Sequence, residues 1–217
     1  PERWTMALSE FTQMVVNNIM KPKVSVIVPI YHSEPYLDRC CHSLFKQTIE
    51  SIEILFFIDG PSPSAKAIIE EVLVDYPKRK DSVCIIGHSE NLGISHCRQE
   101  GHALAQGEFL YHCDSDDWLE PNALQLMVNE AERNDCDVVA FDYVRHYTHP
   151  ERDVVYSSSG VERKHISTIN ASLVNKLIRK CLIEEHQLRF PEGVNWGEDL
   201  YMATLCVVLA RKVCYLP

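Results

Sequence analysis

The chain has 217 residues, is 46% hydrophobic and 24% charged, and carries a formal net charge of −10. That length suits one large domain or one and a half small ones and is ample for a sizeable core, and the composition is ordinary for a soluble globular protein. The acidity argues against nucleic acid held on a basic surface, which needs clustered Lys and Arg; a phosphorylated small molecule stays open if a metal supplies the positive charge.

Residues 3–19 carry Trp4, Ala7, Leu8, Phe11, Met14 and Val15 at helical spacing, and Asn17, Asn18 and Pro22 end the pattern. This predicts an amphipathic N-terminal extension over residues 1–21, packed on the domain or on a second copy; an added upstream segment is the equal alternative. Val24 to Ile30 is a nearly continuous apolar run rich in β-branched residues, the pattern of a strand buried on both faces of a parallel sheet. Pro35 then opens a helix to Lys46. Strands follow at Ile52–Ile58, Val83–Ile86, Phe109–Cys113 and Val138–Tyr143. Helices alternate with them at Ser64–Tyr76, Ile94–Ala105 and from Pro121 through Ala131. Such alternation predicts an α/β protein with right-handed crossovers and an open, mostly parallel sheet flanked by helices. Residues 146–164 are polar and read as a surface loop or hairpin. Residues 168–182 and 198–210 read as helices of a C-terminal helical region.

Nine cysteines include no C-x-x-C pair and fall mostly in apolar runs. They read as free thiols in a reducing compartment, and no Cys/His spacing matches a zinc pattern. No apolar run reaches the roughly 18 residues of a membrane span, and residues 1–20 lack a signal-peptide plan. The expectation is a cytoplasmic protein, with peripheral contact at the inner face of a membrane left open.

In open α/β sheets ligands bind beyond the carboxyl ends of the strands. Asp114-Ser115-Asp116-Asp117-Trp118 follows the fourth strand, and its carboxylates are hard ligands suited to Mg²⁺ or Mn²⁺. A solvated acidic turn before the helix at Pro121 is the equal alternative. Glu198 and Asp199 precede an apolar run; they are either helix-start charges or a general base with its neighbour. Asp59 and Glu34 follow the second and first strands and can accept hydrogen bonds from a base or ribose. Tyr31 can stack on a base or sit in the core. Arg98 can neutralise a diphosphate by bidentate contact or be a surface arginine.

Taken together, these blocks resemble the family 2 glycosyltransferases of the GT-A, Rossmann-like fold. The resemblance runs through Val24-Ser-Val-Ile-Val-Pro-Ile30 to Thr48, Asn91-Leu-Gly-Ile-Ser-His-Cys-Arg-Gln99, Gly107 to Trp118, Asn175-Lys-Leu177, Arg189 to Gly193 and Gly197-Glu-Asp199, spanning roughly residues 22–217. It implies inverting transfer from a nucleotide diphosphate sugar, usually a UDP-sugar, to a saccharide or lipid-linked saccharide acceptor, as in surface or capsular polysaccharide synthesis. It assigns Pro29, Tyr31, Glu34 and Asp59 to the nucleoside, Arg98 to the nucleotide or its phosphates, and Asp114 to the ribose or the metal. Ser115 and Asp117 fall near the donor, Asp116 on the Mn²⁺ or Mg²⁺, Asp199 as the base and Glu198 beside it or on the acceptor. It divides the chain into a nucleotide-sugar half at 22–145 and an acceptor-side half at 146–217, truncated because many members continue further. A homodimer is left open. The chain departs from the pattern at His32, at Ile58-Asp59 with Gly60-Pro-Ser-Pro63, and at Arg98-Gln99. The rivals are a nucleotidyltransferase, which would place a Gly-rich basic loop after the first strand, and a nucleotide-sugar-binding module that has lost transfer.

Overall fold

In a computed structural model, residues 21–217 are described apart from 148, 165–168, 171, 192 and 195. The helix expected over residues 3–19 lies outside the described residues. Strand β1 (Val24–Ile30) is buried at every position, as its nearly continuous apolar run requires. It pairs in parallel with β2 (Ile52–Ile58) on one side and β4 (Phe109–His112) on the other. Strand β3 (Val83–Gly87) extends the sheet beyond β2. Between these strands run α1 (Glu34–Phe45), α2 (Pro63–Leu73) and α3 (Ile94–Leu104). Pro35 and Pro63 sit in the first turns of α1 and α2, where a missing N–H costs nothing.

The chain continues through α4 (Ala123–Asn134), β5 (Val138–Phe141), a hairpin of β6 (Tyr143–Arg145) and β7 (Val154–Tyr156), and β8 (Lys176–Arg179). It ends with α5 (Lys180–Glu185), α6 (Glu198–Leu209) and β9 (Val213–Leu216). The seven-stranded sheet has the order β3-β2-β1-β4-β8-β5-β9. Only β8 runs against the others, so the sheet is mostly parallel, as expected. Helices α1, α2 and α4 cover one face and α3, α5 and α6 the other, each over its own apolar cluster. After β1 the chain builds outward to β3, then returns to place β4 on the other side of β1. That reversal opens a crevice at the carboxyl ends of β1 and β4.

Two features correct the expectations for the C-terminal part. Residues 168–182 do not form one helix: Lys176–Arg179 is an inner strand of the sheet. Leu177 belongs to one apolar cluster and the adjacent Ile178 to the other, as in a strand, where successive side chains alternate. Val213–Leu216 is a further strand, parallel to β5. The region is therefore mixed rather than helical. A third correction concerns the cysteines. Cys136, two residues past the end of α4, and Cys214, within β9, form a disulfide with Cα atoms 6.1 Å apart, while seven others are free. Among the described residues no helix is long and apolar enough to cross a membrane.

Candidate active site

The crevice holds a cavity of about 400 Å³ lined by Pro29, Tyr31, Asp59, Asp114, Ser115 and Asp116 among others. Six of the residues singled out from sequence thus meet in one place, drawn from the ends of β1, β2 and β4. Tyr31 is 55% exposed and offers its ring at the cavity. Ser33 and Ser115 hydroxyls lie 2.6 Å apart and tie the loop after β1 to the loop after β4.

Asp114, Asp116 and Asp117 converge, with one oxygen from each within 4.8 Å of the others. The turn that gathers them is closed by the Asp117 N–H donating to the Asp114 carbonyl at 3.0 Å. The Asp117 carboxyl is pushed up to about 6 by burial and by the charges of Asp114 and Asp116. Its residue is exposed, so repulsion among three carboxylates is the cause to weigh. Such a cluster gains from a cation, and an all-oxygen donor set of this size fits Mg²⁺ or Mn²⁺ completed by phosphate and water.

Arg98 lies differently from its expected place facing phosphates. It is 1% exposed and does not line the cavity. Its Nη2 donates to Asp114 at 2.9 Å, and its Nη1 donates to Glu198 at 3.1 Å and to Asp199. One guanidinium therefore joins the acidic turn after β4 to the start of α6. Three carboxylates around one cation leave excess negative charge. Burial holds the Asp199 carboxyl above the usual range; Arg98 opposes this, while Asp114 and Glu198 reinforce it.

Asp59 lines the cavity, but its oxygens already accept from the backbone N–H groups of Leu92 (2.8 Å) and Gly93 (2.9 Å), and Oδ1 lies 3.2 Å from His88 Nδ1. It shapes the Asn91–Gly93 wall at the start of α3. Glu34 does not line the cavity; its carboxylate accepts from the Ser62 hydroxyl at 2.5 Å, which lowers its pKa. That contact braces α1 against the start of α2. The lining also includes Ser33, Tyr36 and Asn91, which sequence reasoning did not single out as ligands. The placement of Ser33 and Tyr36 directly after β1 was the available signal.

The acceptor-side chain is fastened to α3. The Ser95 hydroxyl donates to the Val194 carbonyl at 2.9 Å, and the Gln99 side-chain amide oxygen (Oε1) accepts from Phe190 N–H at 3.0 Å. Buried Lys176 donates to the Asn170 and Ser172 carbonyls and to Asn175 at 2.6–2.8 Å. Those bonds satisfy all three of its protons and fix the turn entering β8.

Residues 25–186 match the profile of glycosyl transferase family 2. The chain is 30% identical over 207 residues to the putative glycosyltransferase EpsH of Bacillus subtilis (strain 168), covering 90% of this chain and 58% of that protein. It thus spans little more than half the length of this relative. Its fold is similar to that of S. aureus TarS 1-349 in complex with UDP, with a TM-score of 0.77 and 23% identity over 89% of this chain and 57% of that one. It is also similar to the mannosyltransferase PcManGT from Pyrobaculum calidifontis in complex with GDP-Man and Mn²⁺, with a TM-score of 0.69 and 18% identity over 91% of this chain and 55% of that one.

Proposed function

The chain belongs to glycosyl transferase family 2, and from that premise we propose that it moves a sugar from a nucleoside diphosphate donor, a UDP-sugar, to an acceptor hydroxyl with inversion. The observation that carries the reading is the Arg98 bridge between the Asp114–Asp117 turn at the donor cavity and Asp199 at the start of α6. It sets a cation station and a candidate base one guanidinium apart.

In this reading the nucleoside enters the cavity, with Tyr31 stacking on the base and the Asp59-held wall of Asn91 and Gly93 shaping the pocket. Asp116 and Asp114 hold Mn²⁺ or Mg²⁺, which when bound supplies positive charge to the diphosphate leaving group. Asp199 takes the proton of the acceptor hydroxyl, and its raised pKa makes it a stronger base than an ordinary surface carboxylate. Attack on the face opposite the leaving group inverts the anomeric carbon. Glu198 and Arg98 orient Asp199. The residues 146–217 form the acceptor side, for a saccharide or lipid-linked saccharide such as those used in polysaccharide synthesis. The UDP complex of TarS and the Mn²⁺ complex of PcManGT support the choice of donor and cation.

The test is thermal melting with UDP, GDP and dTDP, each with and without Mn²⁺. Stabilisation by UDP that requires the metal is expected by linkage. No shift with any nucleoside diphosphate would sink the donor assignment. The anomeric coupling constant of the product, read by NMR, decides inversion.

A further inference from the structure

A second cluster lies behind the cavity wall, built from residues that the transfer reading leaves unused. His88 follows β3, and its N–H donates to the Ile58 carbonyl at 2.9 Å. His96 and Glu100 lie four residues apart in α3, a spacing that puts both on one helix face. One donor atom from each of His88, His96 and Glu100 lies within 4.8 Å of the other two. The His88 and His96 ring centroids are 5.6 Å apart, at 81°.

The hydrogen bonding of His88 is the more telling observation. Its Nδ1 lies 3.2 Å from Asp59 Oδ1, and its Nε2 lies 2.8 Å from Glu100 Oε2. Asp59 is itself immobilised by two backbone N–H groups. A carboxylate fixed on one ring nitrogen of a histidine sets the tautomer with the proton on that nitrogen and leaves the other lone pair free for a metal. Nε2 then faces an anionic oxygen, and two acceptors at that distance need a cation between them. In the metal-free protein that cation is a proton; a metal ion can replace it.

We propose that His88 Nε2, His96 and Glu100 form a site for a borderline divalent cation of the Zn²⁺ class, with Asp59 orienting His88 from behind. Two imidazoles and one carboxylate are a known three-ligand set for four-coordinate Zn²⁺, with water as the fourth ligand. So few oxygens suit Mg²⁺ or Mn²⁺ poorly, which separates this site from the all-carboxylate cluster at Asp116. Tetrahedral Zn²⁺ places its ligands roughly 3.4 Å apart, so His88 Nε2 and Glu100 Oε2, now 2.8 Å apart, must part slightly while His96 closes on them. His96 is exposed and lies in the first turn of α3, and its side chain is free to swing inward. Cys97 is not a ligand: its Sγ lies on the Asp59 side of the ring, 3.9 Å from Nδ1, and burial pushes the thiol up to about 12. The ion would brace the 88–93 segment, whose Asn91 and Gly93 wall the donor cavity. This assignment goes beyond the transfer reading and stands independently of it.

The experiment uses tag-free protein stripped with a chelator. Zn²⁺ is titrated against a chromophoric competitor, and Co²⁺ is added separately for its visible four-coordinate spectrum. One tight equivalent of Zn²⁺ and an intense Co²⁺ band are expected. Both persist in Asp116→Asn, and Zn²⁺ affinity falls by more than about tenfold in His96→Ala and in Glu100→Gln. His96→Ala keeps the metal-dependent UDP shift, since His96 belongs to neither the cavity nor the carboxylate cluster. Wild-type Zn²⁺ affinity in both variants, or no four-coordinate Co²⁺ band in the wild type, overturns the site. Neither result bears on the transfer reading, whose own failure shows as a missing UDP shift.

Discussion

Asp199→Asn keeps the shape of the Arg98 contact and removes the ability to accept a proton. The expected outcome is an unchanged UDP–Mn²⁺ melting shift with transfer slower by about 10²–10⁴-fold, measured by donor consumption. Because burial raises Asp199, its ionised fraction is lost at a higher pH than for a surface Asp. The kcat/KM profile should therefore fall on the acid side from above the usual carboxylate range. Arg98→Ala leaves Asp114, Glu198 and Asp199 uncompensated. It should push that acid limb further up and destabilise the fold by roughly 3–5 kcal/mol, as breaking a buried pair does. The His102–His112 pair, with Nε2 atoms 3.0 Å apart and both residues buried, gives a separate pH dependence. Burial lowers His102 to about 4 and His112 well below its ordinary value. The unfolded chain takes up both protons near 6.5, while the folded one holds His102 neutral down to about 4 and keeps His112 well below its ordinary value, so the unfolded state binds more protons across that window. Stability is full above 6.5 and drains as pH falls to 4, by about 3 kcal/mol for His102 alone. Urea melts between pH 7 and 4 check this, and His102→Gln should flatten the slope.

At the scale of elements, two glycines bring the chain close to β1, with unequal tolerance. A Cβ on Gly107 would meet Ser25 N and the Val24 carbonyl carbon, at 2.6 and 2.9 Å, whereas one on Gly101 would meet only the Ile27 side chain, at 2.6–3.1 Å. Backbone cannot rotate away as a side chain can. Gly107→Ala should cost more than Gly101→Ala, on the order of 1–3 kcal/mol, read from denaturant midpoints. The elements legible beforehand were those with long, one-period patterns: β1 to β5 and α1 to α4 fell within a few residues of their expected places. Asp142 divides the expected strand at Val138–Tyr143 into β5 and the start of the hairpin. Strand β8 was illegible for a physical reason. Its four residues are flanked by Leu173, Val174, Cys181 and Leu182, so the run reads at helical spacing, and a short apolar segment cannot by itself declare its period. Only its insertion between β4 and β5 makes it a strand.

Across the whole molecule, donor and cation should act as one ligand on the cleft between the two sides of the sheet. UDP with Mn²⁺ at about 100 times its Kd should add roughly 2.7 kcal/mol of stability, and Asp116→Asn should abolish the increment. The residues by themselves announced the parallel sheet, the acidic turn after β4 and the family, because buried strands and ligand loops are written in contiguous residues. They could not announce that Arg98 turns inward to Asp199, 101 positions away, that Glu34 braces α2 instead of lining the cavity, or that Cys136 meets Cys214 across 78 positions. Nor could they assemble His88 with His96 and Glu100 against Asp59. Those contacts depend on which strand ends and helix faces the sheet order brings together, and that order is decided by packing over the entire chain.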